Sequence, residues 1–132
     1  MTWTQWPALI TWLTLILLVA VILDVGRARS RYGVHAPATS GNEQFERVFR
    51  VQMNTLENVV MFLPALWLAA WYSKPIWASA CGALWLIGRI WYARAYVRDP
   101  ARRHGGYGLS FFALTVLMVA AAIGWVRAAA WT

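Results

Sequence analysis

Four stretches of this sequence contain no charged residue, and they constrain the fold more than any other feature. They are Ala8–Leu23, Val59–Ser73, Ile76–Gly88 and Leu109–Val126. A helix needs about 20 apolar residues to cross a bilayer, so two stretches are nearly long enough and two need polar extensions. Charged residues make up only 13% of the 132-residue chain, against about 25% in soluble domains. The pattern predicts four transmembrane helices in a single membrane-embedded domain over residues 1–132.

The predicted fold class is all-α, an integral membrane four-helix antiparallel bundle with short connections. We expect the helices at about residues 5–26, 42–72, 76–97 and 109–127. The opening segment, "MTWTQWPALI", has no basic residue before its apolar run, which favours a retained helix over a cleaved signal peptide. We interpret Gly105–Gly106, before the last helix, as a turn.

The net charge of +7 is concentrated at one end of the predicted bundle. Arg27, Arg29 and Arg31 follow the first helix, and four more arginines follow the third, whereas the opposite end has only Lys74 and Arg127. Basic residues collect on the cytoplasmic side, so we expect connections 1–2 and 3–4 there and both termini on the other side, beside a tryptophan belt. A basic face on such a chain indicates topology, membrane lipid or an anionic small molecule rather than nucleic acid.

The second helix begins with a polar stripe that a lipid-facing helix would not carry. At 100° per residue its members lie within about 100° of one another: Arg47, Arg50, Asn54, Glu57 and Asn58. An isolated carboxylate at this depth is costly unless it is paired, and Arg50 is about 10 Å from Glu57 along the axis. A zwitterionic ligand would fill this gap, because arginines bind carboxylates and Glu57 would bind an ammonium group.

The third helix carries a similar stripe. Arg89, Tyr92 and Tyr96 follow one another at spacings of 3 and 4 residues. Arg94 and Arg98 point elsewhere, and snorkelling to lipid headgroups would explain them.

Metal chemistry is not indicated. His35 and His104 lie in separate predicted loops, where we interpret them as solvated residues, and there is no Glu-x-x-His or cysteine cluster. Cys81, the single cysteine, is interpreted as a packing residue.

Three segments carry a resemblance to a known family: "FERVFRVQMNTLE" (45–57), "FLPALWLAAWY" (62–72) and "RIWYARAYVRDPARR" (89–103). They resemble the MAPEG superfamily of membrane-associated proteins in eicosanoid and glutathione metabolism, and most closely its microsomal glutathione transferase and leukotriene-C-synthase branch. The resemblance implies a homotrimer with glutathione bound between neighbouring subunits near the cytoplasmic side. The second substrate would be a lipophilic electrophile.

The resemblance also implies a role for each matching residue. Glutathione would be bound from one chain by Arg50, Asn54, Glu57, Tyr92 and Tyr96. Gln52 and Arg29 would come from the next chain, with Arg31 as the alternative to Arg29.

Arg103 matches the arginine proposed to stabilise the glutathione thiolate. Arg47 matches a structural basic position, and we place Arg89 with it as a structural polar residue. Asn58 stands where leukotriene-type members often have a tyrosine, which weakens the case for the same lipid substrate.

The predicted function is that of a membrane-bound glutathione transferase, with hydroperoxide reduction as a further activity. The main alternative is a non-catalytic lipid-binding scaffold of the same family. That branch lacks the arginine and glutamate of the motif, whereas Arg50 and Glu57 are present here. A small multidrug transporter is less favoured, since such proteins use a carboxylate embedded in helix 1 and Asp24 lies at the helix end.

Overall fold

The computed structural model describes residues 2–132, which form four long helices joined by short connections. The helices are α1 (Gln5–Tyr32), α2 (Glu43–Tyr72), α3 (Pro75–Arg98) and α4 (His104–Ala130), with a 3₁₀ turn (Pro100–Arg103) directly before α4. Residues 2–132 contain no β-strand. The predicted all-α class is confirmed.

Local sequence signals account for several helix ends. The side chain of Asn42 accepts a hydrogen bond of 3.0 Å from the backbone N–H of Phe45 and so caps the start of α2. Glu43 and Glu46 lie in the first turn, where negative charge stabilises the helix dipole. Pro75 opens α3, at a position where its missing N–H costs nothing.

The first helix is longer than predicted, since it ends at Tyr32 rather than near residue 26. The arginines after the apolar run are good helix formers and extend the helix into the aqueous zone. It ends where Gly33 adopts φ 68°, a left-handed conformation that glycine reaches without steric cost.

The last helix begins at His104 rather than near residue 109, and the predicted turn at Gly105–Gly106 is wrong. Both glycines are helical, and they serve packing. A Cβ on Gly106 would collide with the backbone nitrogen of Tyr92 and come within 2.7 Å of the carbonyl oxygen of Gly88. The absence of a side chain lets α4 approach α3 closely, as small residues do between membrane helices.

The core lies between α2, α3 and α4. The Trp85 ring stacks on the Phe62 ring at 3.8 Å with an angle of 5° between their planes. Both are fully buried, as are Leu66 and Ala69, and Leu117 of α4 is nearly so. Because lipid tails are as apolar as these side chains, close van der Waals packing rather than removal from water makes this layer stabilise the bundle.

The outside of the bundle is apolar. Three helical segments are long and apolar enough to cross a membrane: Gln5–Tyr32, Glu43–Tyr72 and Pro100–Ala130. The segment α3 is not among them, because its tryptophans, glycines and arginines lower its mean hydropathy, but it packs against all three other helices. Large side chains such as Trp12 and Ile16 are more than half exposed. A surface of this kind suits lipid rather than water, and the chain is an integral membrane protein.

The predicted tryptophan belt consists of exposed side chains near one end of each of the four helices, and these four ends lie at the same side of the bundle. Trp3 and Trp71 meet edge to face with ring centroids 5.6 Å apart, which brings the start of α1 to the end of α2. The side of the membrane that this end faces stays a prediction.

Candidate functional site

A polar pocket of about 530 Å³ opens at the end of the bundle opposite this belt. We define it by its lining residues: Arg50, Asn54, Tyr92, Tyr96, Arg103, His104 and Tyr107. They come from α2, α3, the 3₁₀ turn and the start of α4. Of the nine residues predicted to bind or activate a ligand, five meet here. Two residues from each of the stripes predicted on α2 and α3 thus line one shared space.

The floor of the polar pocket is held by a buried arginine. Arg89 is fully buried, and its Nη2 donates to Asn54 Oδ1 at 2.8 Å and to Thr55 Oγ1 at 3.2 Å. Its Nε and Nη1 have no hydrogen-bond partner among the described residues. Because the Asn54 oxygen accepts from Arg89, the Asn54 amide nitrogen is left to donate into the pocket.

Tyrosines form one wall of the polar pocket. The Tyr92 ring lies 5.6 Å from the Tyr96 ring and 6.3 Å from the Tyr107 ring, centroid to centroid. The Arg89 guanidinium carbon sits 4.3 Å from the Tyr92 ring centroid, within cation–π range. Tyr92 is therefore fixed from one side by a buried cation while it lines the pocket on the other.

The polar pocket is positively charged. Arg50 and Arg103 line it, and no carboxylate is among its lining residues. Arg103 donates from Nη1 to the carbonyl oxygen of Pro100 at 3.3 Å, which anchors it to its own turn. Two guanidinium groups, with the Arg89 charge beneath them, favour an anionic or carboxylate-bearing ligand.

Four predicted residues lie outside this pocket, and two of them, Gln52 and Glu57, belong to α2. Glu57 is exposed and Gln52 is half-buried, and neither side chain is hydrogen-bonded or ion-paired to any residue in 2–132. Asn58, next to Glu57, is buried and donates to the carbonyl oxygen of Asn54 at 3.2 Å. Glu57 and Gln52 therefore have no polar partner within the described part of the single chain.

The two candidate arginines of α1 have different surroundings. Arg29 donates from Nη1 to the carbonyl oxygens of Ala38, at 2.7 Å, and Val34, at 3.4 Å. It also lies 4.9 Å from the Phe45 ring centroid. Arg31 lines a separate cleft between α1 and α3. Within one chain, neither reaches the polar pocket.

Arg47 joins the charged ends of two helices. It pairs with Glu43 at 2.6 Å and donates to the carbonyl oxygens of Arg98, at 3.2 Å, and Val97, at 3.4 Å. These carbonyls belong to the last turn of α3, whose dipole favours a nearby cation. Arg47 thereby ties the start of α2 to the end of α3.

Two pocket residues are absent from the sequence predictions. His104 was interpreted as a loop residue, yet it is the first residue of α4 and lines the polar pocket. Tyr107 follows one turn later and lines the same space. Their spacing of three residues would have placed both on one helical face, had α4 been predicted to start at residue 104.

Comparison with known proteins identifies the family. A sequence profile of the MAPEG family matches residues 7–123. The chain belongs to the MAPEG family. The resemblance to the MAPEG superfamily that the sequence segments of α2 and α3 carry is therefore confirmed.

This MAPEG protein is similar to relatives from bacteria and mammals. An uncharacterized protein of Synechocystis is 51% identical over 88% of this chain and 85% of its own length. Human microsomal glutathione S-transferase 2 is 38% identical over 77% of this chain and 69% of its own length. Rat leukotriene C4 synthase is 37% identical over 89% of this chain and 78% of its own length.

Proposed function

We propose that this protein is a membrane-bound glutathione S-transferase that conjugates lipophilic electrophiles. The observation that carries the proposal is the polar pocket, a cationic space without a lining carboxylate in a MAPEG chain. Relatives named glutathione S-transferase and leukotriene C4 synthase support this chemistry. The tripeptide brings two carboxylates and a thiol that must ionise, and each suits a site rich in arginine.

In this proposal the helical stripes bind the tripeptide. Arg50 holds a carboxylate, while the Asn54 amide nitrogen and the hydroxyl groups of Tyr92 and Tyr96 provide hydrogen bonds to the peptide. The bond from Arg89 orients the Asn54 amide for this role. Each well-placed hydrogen bond to a charged group contributes about 1.5–3 kcal/mol.

Arg103 then stabilises the thiolate. A free thiol has a pKa near 8.5, and lowering it to about 7 takes about 2 kcal/mol, which one guanidinium in a partly dehydrated site can supply. The thiol proton leaves to water. The thiolate sulfur attacks the electrophilic carbon, an S–C bond forms, and the leaving group departs with its bonding electron pair. The same thiolate would attack the terminal oxygen of a lipid hydroperoxide, so that the O–O bond breaks, the lipid alcohol leaves and glutathione becomes a sulfenic acid. A second glutathione would then displace water from that sulfur and form the disulfide.

The electrophile would reach the sulfur from the bilayer along α4. Tyr107 lines the polar pocket, and its ring stacks with that of Phe111 at 6.2 Å, one turn deeper. Both side chains are exposed, at 43% and 56%. They make a continuous aromatic path from the apolar surface of the bundle to the charged pocket.

A neighbouring chain completes the site in this proposal. Glu57 has no partner within residues 2–132 and lies where an unpaired carboxylate is costly. In a homotrimer it would bind the ammonium group of the tripeptide, while Gln52 and Arg29 of the adjoining chain would close the pocket. The arginine-rich end, with connections α1–α2 and α3–α4, would face the cytoplasm.

Two measurements on the detergent-purified protein test this function. Calorimetric titration should show glutathione and its S-methyl form binding, because both keep the carboxylates and the ammonium group. A generic aromatic halide should then be conjugated with release of halide. Binding without conjugation would support a lipid-binding scaffold, and absence of binding would remove the proposal.

A further inference from the structure

A second charged cavity lies on the opposite side of α3 from the tyrosines of the polar pocket. We call it the basic cleft. It has a volume of about 440 Å³, and its charged lining residues are Asp24, Arg27, Arg31, Arg94 and Arg98. Four guanidinium groups against one carboxylate make it strongly cationic.

The arginines of the basic cleft are paired along two helices. Arg27 and Arg31 are one turn apart on α1, and Arg94 and Arg98 are one turn apart on α3, so each pair shares a helical face. Arg27 binds Asp24 at 3.1 Å. The side chains of Arg31, Arg94 and Arg98 have no hydrogen bond or ion pair to any part of the chain that the structure describes. Three arginines are left to bind an external anion.

The floor of the basic cleft is apolar. Val21, Val51, Ala93 and Val97 lie below the arginines, and they pack together in one cluster that belongs to the core of this end of the bundle. A small, fully hydrated anion would gain nothing from such a floor. A ligand with a charged group joined to an apolar body would contact both.

Apolar surface continues from the same arginines toward the middle of the helix. Arg94 and Arg98 also line a second groove, of about 680 Å³, on the outer face of α3. Ile87, Ile90 and Trp91 line it, and their side chains are about half exposed. A phosphate held by these arginines would have an acyl-chain path directly beneath it.

We propose that the basic cleft binds the phosphate of an anionic phospholipid, with an acyl chain in the groove beside Trp91. Guanidinium groups bind phosphate oxygens in a bidentate manner, and basic pockets between membrane helices hold anionic headgroups. The three free arginines bridge α1 and α3 through the lipid. The site is separate from the polar pocket, since none of its lining residues is shared with it.

Native mass spectrometry of the purified protein tests this site with phosphatidylglycerol, phosphatidylcholine and glycerol phosphate as separate probes. The informative variant is Arg94→Gln with Arg98→Gln, and the matched control is Lys74→Gln with Arg127→Gln, which removes the same charge at the other end. We expect the first variant to bind phosphatidylglycerol about 30-fold more weakly, since each basic residue at an anionic surface contributes about fivefold. The control should bind it as the unmodified protein does.

The relative affinities of the three probes decide whether the bound phosphate belongs to a lipid or to a free small molecule. Phosphatidylglycerol should bind at least about tenfold more tightly than phosphatidylcholine or glycerol phosphate, because only it offers both the negative headgroup and the chains. Equal binding of the two lipids, equal binding of glycerol phosphate, or an equal loss in the control variant would each overturn the proposal. The thermal midpoint of each variant, measured on the same sample, shows that it is folded.

Discussion

Arg89 carries a charge into the fully buried layer of the bundle, and within residues 2–132 it forms no ion pair with a carboxylate. Burying an uncompensated cation costs several kcal/mol of stability. An arginine at this position therefore indicates a role other than stabilising the fold. Its bond to Asn54 and its contact with Tyr92 both bear on the polar pocket. We infer that Arg89 fixes these pocket groups and adds positive potential beneath the polar pocket.

Replacement of Arg89 distinguishes a role in positioning the pocket groups from a role in stabilising the fold. Arg89→Met keeps the shape of the side chain and removes the buried charge, so we expect thermal stability to stay the same or rise. Glutathione affinity should fall by about tenfold or more, since Asn54 loses its orienting bond. Calorimetry and a thermal melt measure the two quantities. The control Thr55→Val removes only the second acceptor of Arg89, the Thr55 hydroxyl. The affinity of this control for glutathione should be nearly unchanged. A large loss of stability at normal affinity would give Arg89 a folding role alone.

In the proposed function Arg103 stabilises the glutathione thiolate, so its removal should lower the rate of conjugation. Arg103→Ala raises the pKa of the bound thiol toward 8.5, so less thiolate is present at neutral pH and the rate profile shifts to higher pH. We expect turnover at pH 7 to fall by roughly 15-fold, because the thiolate fraction drops from about one half to about 3%, while glutathione still binds. Stopped-flow assays across pH measure both effects.

A neighbouring arginine gives the matched control for this experiment. Arg102 is exposed, pairs with Asp99 at 3.8 Å and does not line the polar pocket. Arg102→Ala should therefore keep the rate and pH profile of the unmodified protein. Equal rates for the two alanine variants would show that Arg103 does not stabilise the thiolate.

Single side chains show what could be predicted from the sequence. The spacing of Arg50 and Asn54 along α2, and of Tyr92 and Tyr96 along α3, places each pair on one helical face, and the structure brings them to one pocket. The surroundings of Arg29 could not be predicted, because its bonds depend on how the α1–α2 connection folds back over it. Ligand binding at all of these positions stays a prediction.

Helix ends were the weaker part of the prediction, and the reason is physical. A run of arginines and a Gly-Gly pair both suggest loops in isolation. In the bundle, the arginines continue α1 to Gly33, and Gly106 lies within α4 against Gly88 of α3. Close contact with a neighbouring helix overrides the weak local preference of glycine for turns.

The approach of α4 to α3 can be tested at one glycine. Gly106→Ala places a Cβ against the backbone of Tyr92 and Gly88, so the helices must separate. We expect a destabilisation of about 1–3 kcal/mol and weaker glutathione binding, because Tyr92 and Tyr107 then move apart. Thermal unfolding in detergent and calorimetry measure these changes.

The same helix offers a matched control two residues later. A Cβ on Gly108 would meet nothing within 4 Å. Alanine is the better helix former by about 1 kcal/mol, so Gly108→Ala should leave stability equal or higher. If both variants behaved alike, close packing at Gly106 would not be what holds α4 to α3.

The single chain leaves its polar pocket open, and two of the predicted ligand residues lie outside it. Glu57 and Gln52 find no partner within residues 2–132, and the sequence of one chain contains no direct signal for what covers them. A symmetric oligomer supplies such a partner, since each interface repeats around the axis. The proposed trimer therefore predicts that every site takes residues from two chains.

Mixed oligomers test this arrangement directly. Arg50→Ala removes a residue from one side of the proposed site, and Gln52→Ala removes one from the other. Each variant alone should be nearly inactive. When the two are co-expressed and assemble at random, about a quarter of the sites combine an intact Arg50 from one chain with an intact Gln52 from the next. Conjugation activity should therefore recover to about that fraction of the unmodified protein.

The recovery distinguishes a shared site from a site within one chain. If Arg50 and Gln52 acted in the same chain, every chain of the mixture would carry one defect, and no combination would restore activity. Mixing the two variants after separate purification in a non-exchanging detergent is the control, because their oligomers stay uniform and the activity should remain low. Recovery only on co-expression requires the ligand to bridge two chains, and then Gln52 of the neighbouring chain is what completes the site beside Arg50.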